Sequence, residues 1–226
     1  MTAAVVTLPL LLLYNVGLMM PGNTTMNAAD LLTNWVVKYT GLTGFLVVNA
    51  VLVVASLILG AVLIRRGQFK PVHWLFLGLE GLVYGLLMGQ AVVFLMEKAH
   101  LLGFGEYASY SLPQKLSMSA GAGYWEELVF RLLMIGGTLA AARRIFKPGP
   151  DGKGARGRVF AVGAVAVAAS SILFSLAHYF GSESFQVYTF VYLTISGIVF
   201  AAVYLLRGFA VAAYMHFLYD VVVMVF

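Results

Sequence analysis

The chain contains no cysteine in its 226 residues, which excludes disulfides, thiolate catalysis and cysteine-held metal. Charge is also scarce. Asp, Glu, Lys and Arg supply 10% of the residues, where a water-soluble domain carries about 25%. No segment is long and polar enough to form a soluble domain. What fills the chain instead is apolar: 62% of residues are hydrophobic and the mean hydropathy is +0.93. This is the composition of an integral membrane protein with one domain over 1–226. The net charge of +5 has a simpler source in membrane topology than in nucleic acid, which is excluded as a partner.

Runs of about 20 apolar residues mark spanning helices. Seven occur, at roughly 3–20, 41–64, 71–96, 116–140, 157–180, 185–206 and 209–226. The backbone must satisfy its own hydrogen bonds in lipid. The expected fold is therefore all-α, a polytopic membrane helical bundle of about seven transmembrane helices. The first run has no basic region before it and no small-x-small cleavage site, so it reads as a retained span, kinked by Pro9. Gly81, Gly85 and Gly89 fall every fourth residue on the third run, a stripe that admits a closely packed neighbour.

With the N-terminus inside, ten Lys and Arg residues fall in inner loops and three in outer ones, with Arg131 inside the membrane. That is a positive-inside distribution. Segments 21–40 and 97–115 then lie outside. They hold Asp30, Trp35, Glu97, Glu106, Tyr107 and Tyr110, residues suited to short interfacial helices. The Gly-Pro-Asp-Gly-Lys-Gly stretch at 149–154 reads as a flexible, charged inner loop. His73 and His100 lie at span ends and read as surface residues.

The fourth run carries Tyr124-Trp125-Glu126-Glu127-Leu128-Val129-Phe130-Arg131. A charge at the bilayer centre costs about 2.5–3.5 kcal/mol on insertion scales, so three charges in one span need a reason. On an α-helix Glu127 and Arg131 share a face and can pair. Glu126 is rotated roughly 100° away and is left as a candidate base. His178 closes the fifth run, behind Phe174. His216 and Asp220 are four apart on the seventh, where the carboxylate can fix the ring's tautomer. Glu80 on the third run has no partner in its own helix and reads as neutral or bonded to another helix.

Glu126-Glu127-x-x-x-Arg131, then Phe174-x-x-x-His178, then His216-x-x-x-Asp220, each on its own hydrophobic segment, resembles the CPBP (Abi) family of intramembrane proteases. That family includes the type II CAAX prenyl proteases. The resemblance covers the C-terminal half, with the catalytic core expected in 116–226. It implies a glutamate-dependent endopeptidase in which Glu126 is the general base and His178 holds and activates a water. His216 would stabilise the oxyanion, with Glu127, Arg131 and Phe174 in support. Many members carry Asn where this chain has Asp220. An ionised carboxylate cannot donate to an oxyanion, so Asp220 is read as the group that orients His216.

Metal-free chemistry is expected, with no cofactor. The less favoured version is zinc held by Glu126, His178 and His216, with an open position for water. The expected partners are membrane lipid and a peptide or protein substrate with a membrane-proximal cleavage site, in a bacterial inner (cytoplasmic) membrane. The charge count puts Glu126 in the outer half of its span, which suits an exported substrate, such as one with a C-terminal sorting signal, over a prenylated cytosolic one. Two other classes fit the composition. One is a proton-coupled transporter with Glu126, His178, His216 and Asp220 as a relay, although neither paired halves nor broken helices are visible. The other is a non-catalytic immunity or scaffold protein.

Overall fold

The computed structural model describes residues 2–20, 27, 29–67, 70–98, 110–146, 153–179 and 185–225. Expectations on His100, Glu106, Tyr107 and most of the 149–154 loop lie outside them. All regular structure among the described residues is helical, and the chain is a membrane helical bundle. The helices are α1 (Thr2–Val6), α2 (Leu8–Leu18), α3 (Leu31–Arg65), α4 (Pro71–Lys98), α5 (Leu112–Gly121), a π-helical segment (Ala122–Gly136), α6 (Gly137–Ile145), α7 (Lys153–Ala177), α8 (Val187–Arg207) and α9 (Phe209–Val225). Thr33–Arg65, Gly154–Ala177 and Val187–Arg207 are long and apolar enough to cross a membrane; Leu8–Leu18, Leu75–Met88 and Phe209–Val225 are shorter apolar stretches.

Two compact units result, Met1–Trp125 with Ala210–Phe226, and Glu126–Phe209. In the first unit the expected N-terminal span is broken at Thr7. Pro9 has no N–H for the carbonyl of residue 5. The Thr7 carbonyl instead accepts from the Leu10 and Leu11 amides at 3.1 and 3.3 Å. The second expected span starts ten residues early. Asp30 caps α3, its Oδ1 accepting from the Thr33 amide at 2.9 Å. The helix is interrupted at Gly41 (φ 66°, ψ −161°), a conformation that only glycine adopts without strain. Before that break, Trp35 and Tyr39 are exposed with ring centroids 5.2 Å apart, an interfacial aromatic pair. After it, Leu42, Val47, Val51, Leu57 and Ile58 are exposed along α3. Such a surface suits lipid and would be a liability in water.

Asp30 is fully buried rather than interfacial. It sits beside the buried Tyr14 phenol, whose oxygen accepts from the Asn27 amide at 3.0 Å. Burial pushes the Asp30 carboxyl above the usual range, against the opposing hydrogen bonds from Thr33 and Tyr14. Small residues set the packing of this unit. Gly17 of α2 meets Ser117 of α5, whose Oγ donates to the Tyr14 carbonyl at 3.2 Å. Gly81 and Gly85 of α4 lie against Tyr214, Met215 and Leu218 of α9, so the glycine stripe serves close helix packing. Gly123 lies against Ala213 and Phe217 of α9.

In the second unit α7 and α8 pack closely where Gly197 meets Ser171. The Ser175 hydroxyl donates across to the Phe190 carbonyl at 2.8 Å. Gly136, at the end of the π segment, meets the Tyr204 hydroxyl of α8.

Candidate active site

The segment that carries the acidic pair is not an α-helix. Residues 122–136 wind as a π-helix, a form seen mostly as single-turn bulges and often at functional sites. Its i→i+5 bonding gives a wider turn with less rotation per residue. Consecutive residues on such a turn still point well apart around the axis, so Glu126 stays turned away from Glu127. Glu126 is five residues before Arg131, one wide turn, and both carboxylates act electrostatically on the Arg131 guanidinium. The Ser170 hydroxyl of α7 donates to the Phe130 carbonyl of this segment at 2.6 Å, an added bond to a backbone whose ladder is already irregular.

Arg131 is fully buried, as is Glu127, and its Nε lies 3.3 Å from Glu127 Oε2. The guanidinium stacks over Phe174 at 4.4 Å and lies 5.4 Å from Phe200 and 5.9 Å from Phe130. Its Nη2 donates to the Gly197 carbonyl at 3.4 Å. Carboxylate, aromatic faces and carbonyl together replace the water that a buried cation loses. Sequence reading paired Arg131 with Glu127 but missed Phe130, Phe200 and Gly197. The only signal for them was aromatic residues on neighbouring runs, which a bilayer-buried chain carries everywhere.

Glu126 is 9% exposed, at the edge of burial. Phe174 is buried and joins the two halves of its motif. Its ring meets the His178 ring edge-on at 4.9 Å, and its carbonyl lies 2.9 Å from His178 Nδ1. A carbonyl only accepts, so Nδ1 is the donor in this contact and Nε2 faces away from it. His178 is exposed in the turn just past α7. Its ring thus combines a fixed orientation with solvent access. Glu126, Glu127, Arg131, Phe174 and His178 all belong to the Glu126–Phe209 unit, where Arg131 and Phe174 link the π segment to α7.

His216 and Asp220 belong to the other unit. His216 is buried on α9, and its Nε2 lies 3.7 Å from Asp220 Oδ2. The expected one-turn pairing is present. Glu80 is half-buried on α4. Within each unit, among the described residues, no three His, Asp or Glu side chains gather as a metal site.

A model of the family Rce1-like, type II CAAX prenyl endopeptidase Rce1-like, matches residues 108–222, just over half of the chain and all three motifs. No curated protein and no solved structure matches the chain.

Proposed function

Since the chain belongs to the Rce1-like family of type II CAAX prenyl endopeptidases, and so to a group of membrane proteases, we propose that it is a glutamate-dependent intramembrane endopeptidase acting through Glu126. The observation that carries this reading is the pairing of roles on one π-helical segment. Glu127 is committed to the buried Arg131, while Glu126 beside it stands at the edge of burial. A carboxylate in such a setting is suited to general-base work near neutral pH.

In this mechanism Glu126 takes a proton from a water as the water oxygen attacks the scissile carbonyl carbon. A neutral His178, its lone pair on Nε2, accepts from the same water and aims it. The carbonyl oxygen becomes an oxyanion held by an N–H of His216. A protonated imidazole has N–H on both nitrogens, so one can face Asp220 while the other faces the oxyanion. The C–N bond then breaks as the proton passes from Glu126 to the leaving nitrogen. Oxyanion donors act strongly where water is scarce. Asp220 orients the ring and does not touch the substrate. The substrate is a membrane-associated or exported protein or peptide cut close to the membrane, with a CAAX-like tail or a C-terminal sorting signal as the candidate cleavage region. The membrane is proposed to be a bacterial inner membrane.

Cleavage of a fluorogenic lipidated peptide by the purified protein tests this. Glu126→Gln is expected to lower turnover about 100- to 10,000-fold, the range of a general base, with an unchanged melting temperature. Asp220→Asn should lower turnover less than Glu126→Gln does, because an amide oxygen can still orient the ring but no longer stabilises its protonated form. Full activity in Glu126→Gln would remove the proposal. A chelator arm addresses zinc on Glu126, His178 and His216: activity is expected to persist, and a loss restored by added zinc would replace the metal-free mechanism.

A further inference from the structure

We propose that the arginine-rich end of the Glu126–Phe209 unit is a binding site for the phosphate headgroups of anionic phospholipids. Arg143 and Arg144 occupy the last turn of α6, and Arg156 and Arg158 lie in the first turns of α7; all four are exposed. The Arg158 guanidinium stacks on the Phe146 ring at 5.4 Å, and its Nε donates to the Gly154 carbonyl at 3.2 Å. That residue therefore ties the start of α7 to the end of α6. Arg143 lies within Coulombic reach of Tyr204, one turn before Arg207 closes α8. Three helix ends thus bring five arginines to one end of the unit. Among its described residues the carboxylates are Glu126 and Glu127, both on the π segment.

The apolar neighbours point to lipid rather than to a soluble anion. Ile145 is 71% exposed and Phe160 79% exposed, beside the guanidinium groups. Apolar side chains that enter the acyl region next to cations at headgroup level form an interfacial anchor. A positive-inside distribution alone, or compensation of helix C-termini, calls only for positive charge, which lysine supplies equally well. Of the six basic residues on these described helix ends five are arginine, with Lys153 the exception, and arginine's planar fork binds phosphate through two bonds. One arginine is also pre-set by stacking on an aromatic ring. This inference is independent of the proteolytic reading, since none of these residues belongs to the proposed catalytic machinery.

The test uses the full chain in nanodiscs of phosphatidylcholine with and without added phosphatidylglycerol. Retained lipid is read by native mass spectrometry, and stability by melting temperature. The wild-type chain is expected to retain phosphatidylglycerol in preference and to melt higher in its presence. Preference should fall about fivefold for each engaged arginine removed, as in R143Q/R144Q and R156Q/R158Q. The fourfold Arg→Lys variant keeps the charge and should still lose much of the preference. Three results would overturn the proposal: equal preference in wild type and Gln variants, full preference in the Lys variant, or an equal rise in melting temperature with inorganic phosphate alone.

Discussion

Arg131 offers the sharpest quantitative test. Replacing it by Met keeps the apolar stem among Phe130, Phe174 and Phe200 but removes the charge 3.3 Å from Glu127. Removing one member of a buried ion pair leaves the other charge uncompensated and costs about 3–5 kcal/mol. Loss of stacking on the Phe174 face adds up to about 2 kcal/mol. For a chain of this length each kcal/mol shifts the melting temperature by about 2–4 °C. Arg131→Met alone is therefore expected to melt roughly 6–20 °C lower, the range given by the ion-pair cost alone. The double variant Glu127→Gln with Arg131→Met removes both charges and should recover most of that loss, since replacing a whole buried pair is often neutral. Thermal unfolding in one detergent, run as a double-mutant cycle, measures the coupling. If the double variant falls by the sum of the single losses, the pair is not the unit that holds this segment, and the assignment of Glu127 to structure fails with it.

Asp30 carries a pH prediction. Its folded carboxyl is raised by burial, so the folded state binds this proton more tightly than the unfolded chain does. Its contribution to stability is present at low pH and is lost as pH rises through the folded value. Asp30→Asn keeps an N-cap side chain and should flatten that loss, giving an equal or higher melting temperature at neutral pH; a lower one would refute the sign. Gly85→Val would place a Cβ 2.8 Å from the Leu218 Cβ and 2.9 Å from the Met215 carbonyl oxygen, and should cost at least about 1–3 kcal/mol by overpacking. An unchanged unfolding midpoint would show that α4 and α9 separate freely there. The chain has no native cysteine, so single cysteines report topology cleanly. In intact cells a membrane-impermeant maleimide should label Leu112→Cys and spare Arg144→Cys, and the opposite pattern would invert the orientation.

The membrane-bundle fold was legible because lipid imposes long apolar runs, and the helices follow those runs closely from α4 onward. The one-turn pairings Glu127–Arg131 and His216–Asp220 were legible for a related reason: three or four residues of separation stack side chains on any helix near α geometry. Three features were hidden. The π winding of 122–136 has no residue signature, and the Ser170 hydroxyl that bonds its Phe130 carbonyl lies 40 residues further along the chain. The aromatic lining of Arg131 comes from α7 and α8, and Phe residues in an apolar chain do not announce which neighbour they face. Asp30 looked interfacial because a lone acid in a polar stretch normally is. Its burial follows from the way Tyr14, Asn27 and Thr33 surround it.

The housing of Arg131 also bears on how the chain is made. When the ribosome has synthesised the π-helical segment, Glu127 is already present, but Phe174, Gly197 and Phe200 are not, and the bonded Gly197 carbonyl lies 66 residues downstream. A segment bearing two acids and a guanidinium enters lipid at a cost of several kcal/mol until those partners arrive. Stable insertion of this helix is therefore expected to come only with α7 and α8. Truncating the nascent chain ahead of residue 197 should leave the segment extractable from the bilayer, and extending it past residue 207 should lock it in.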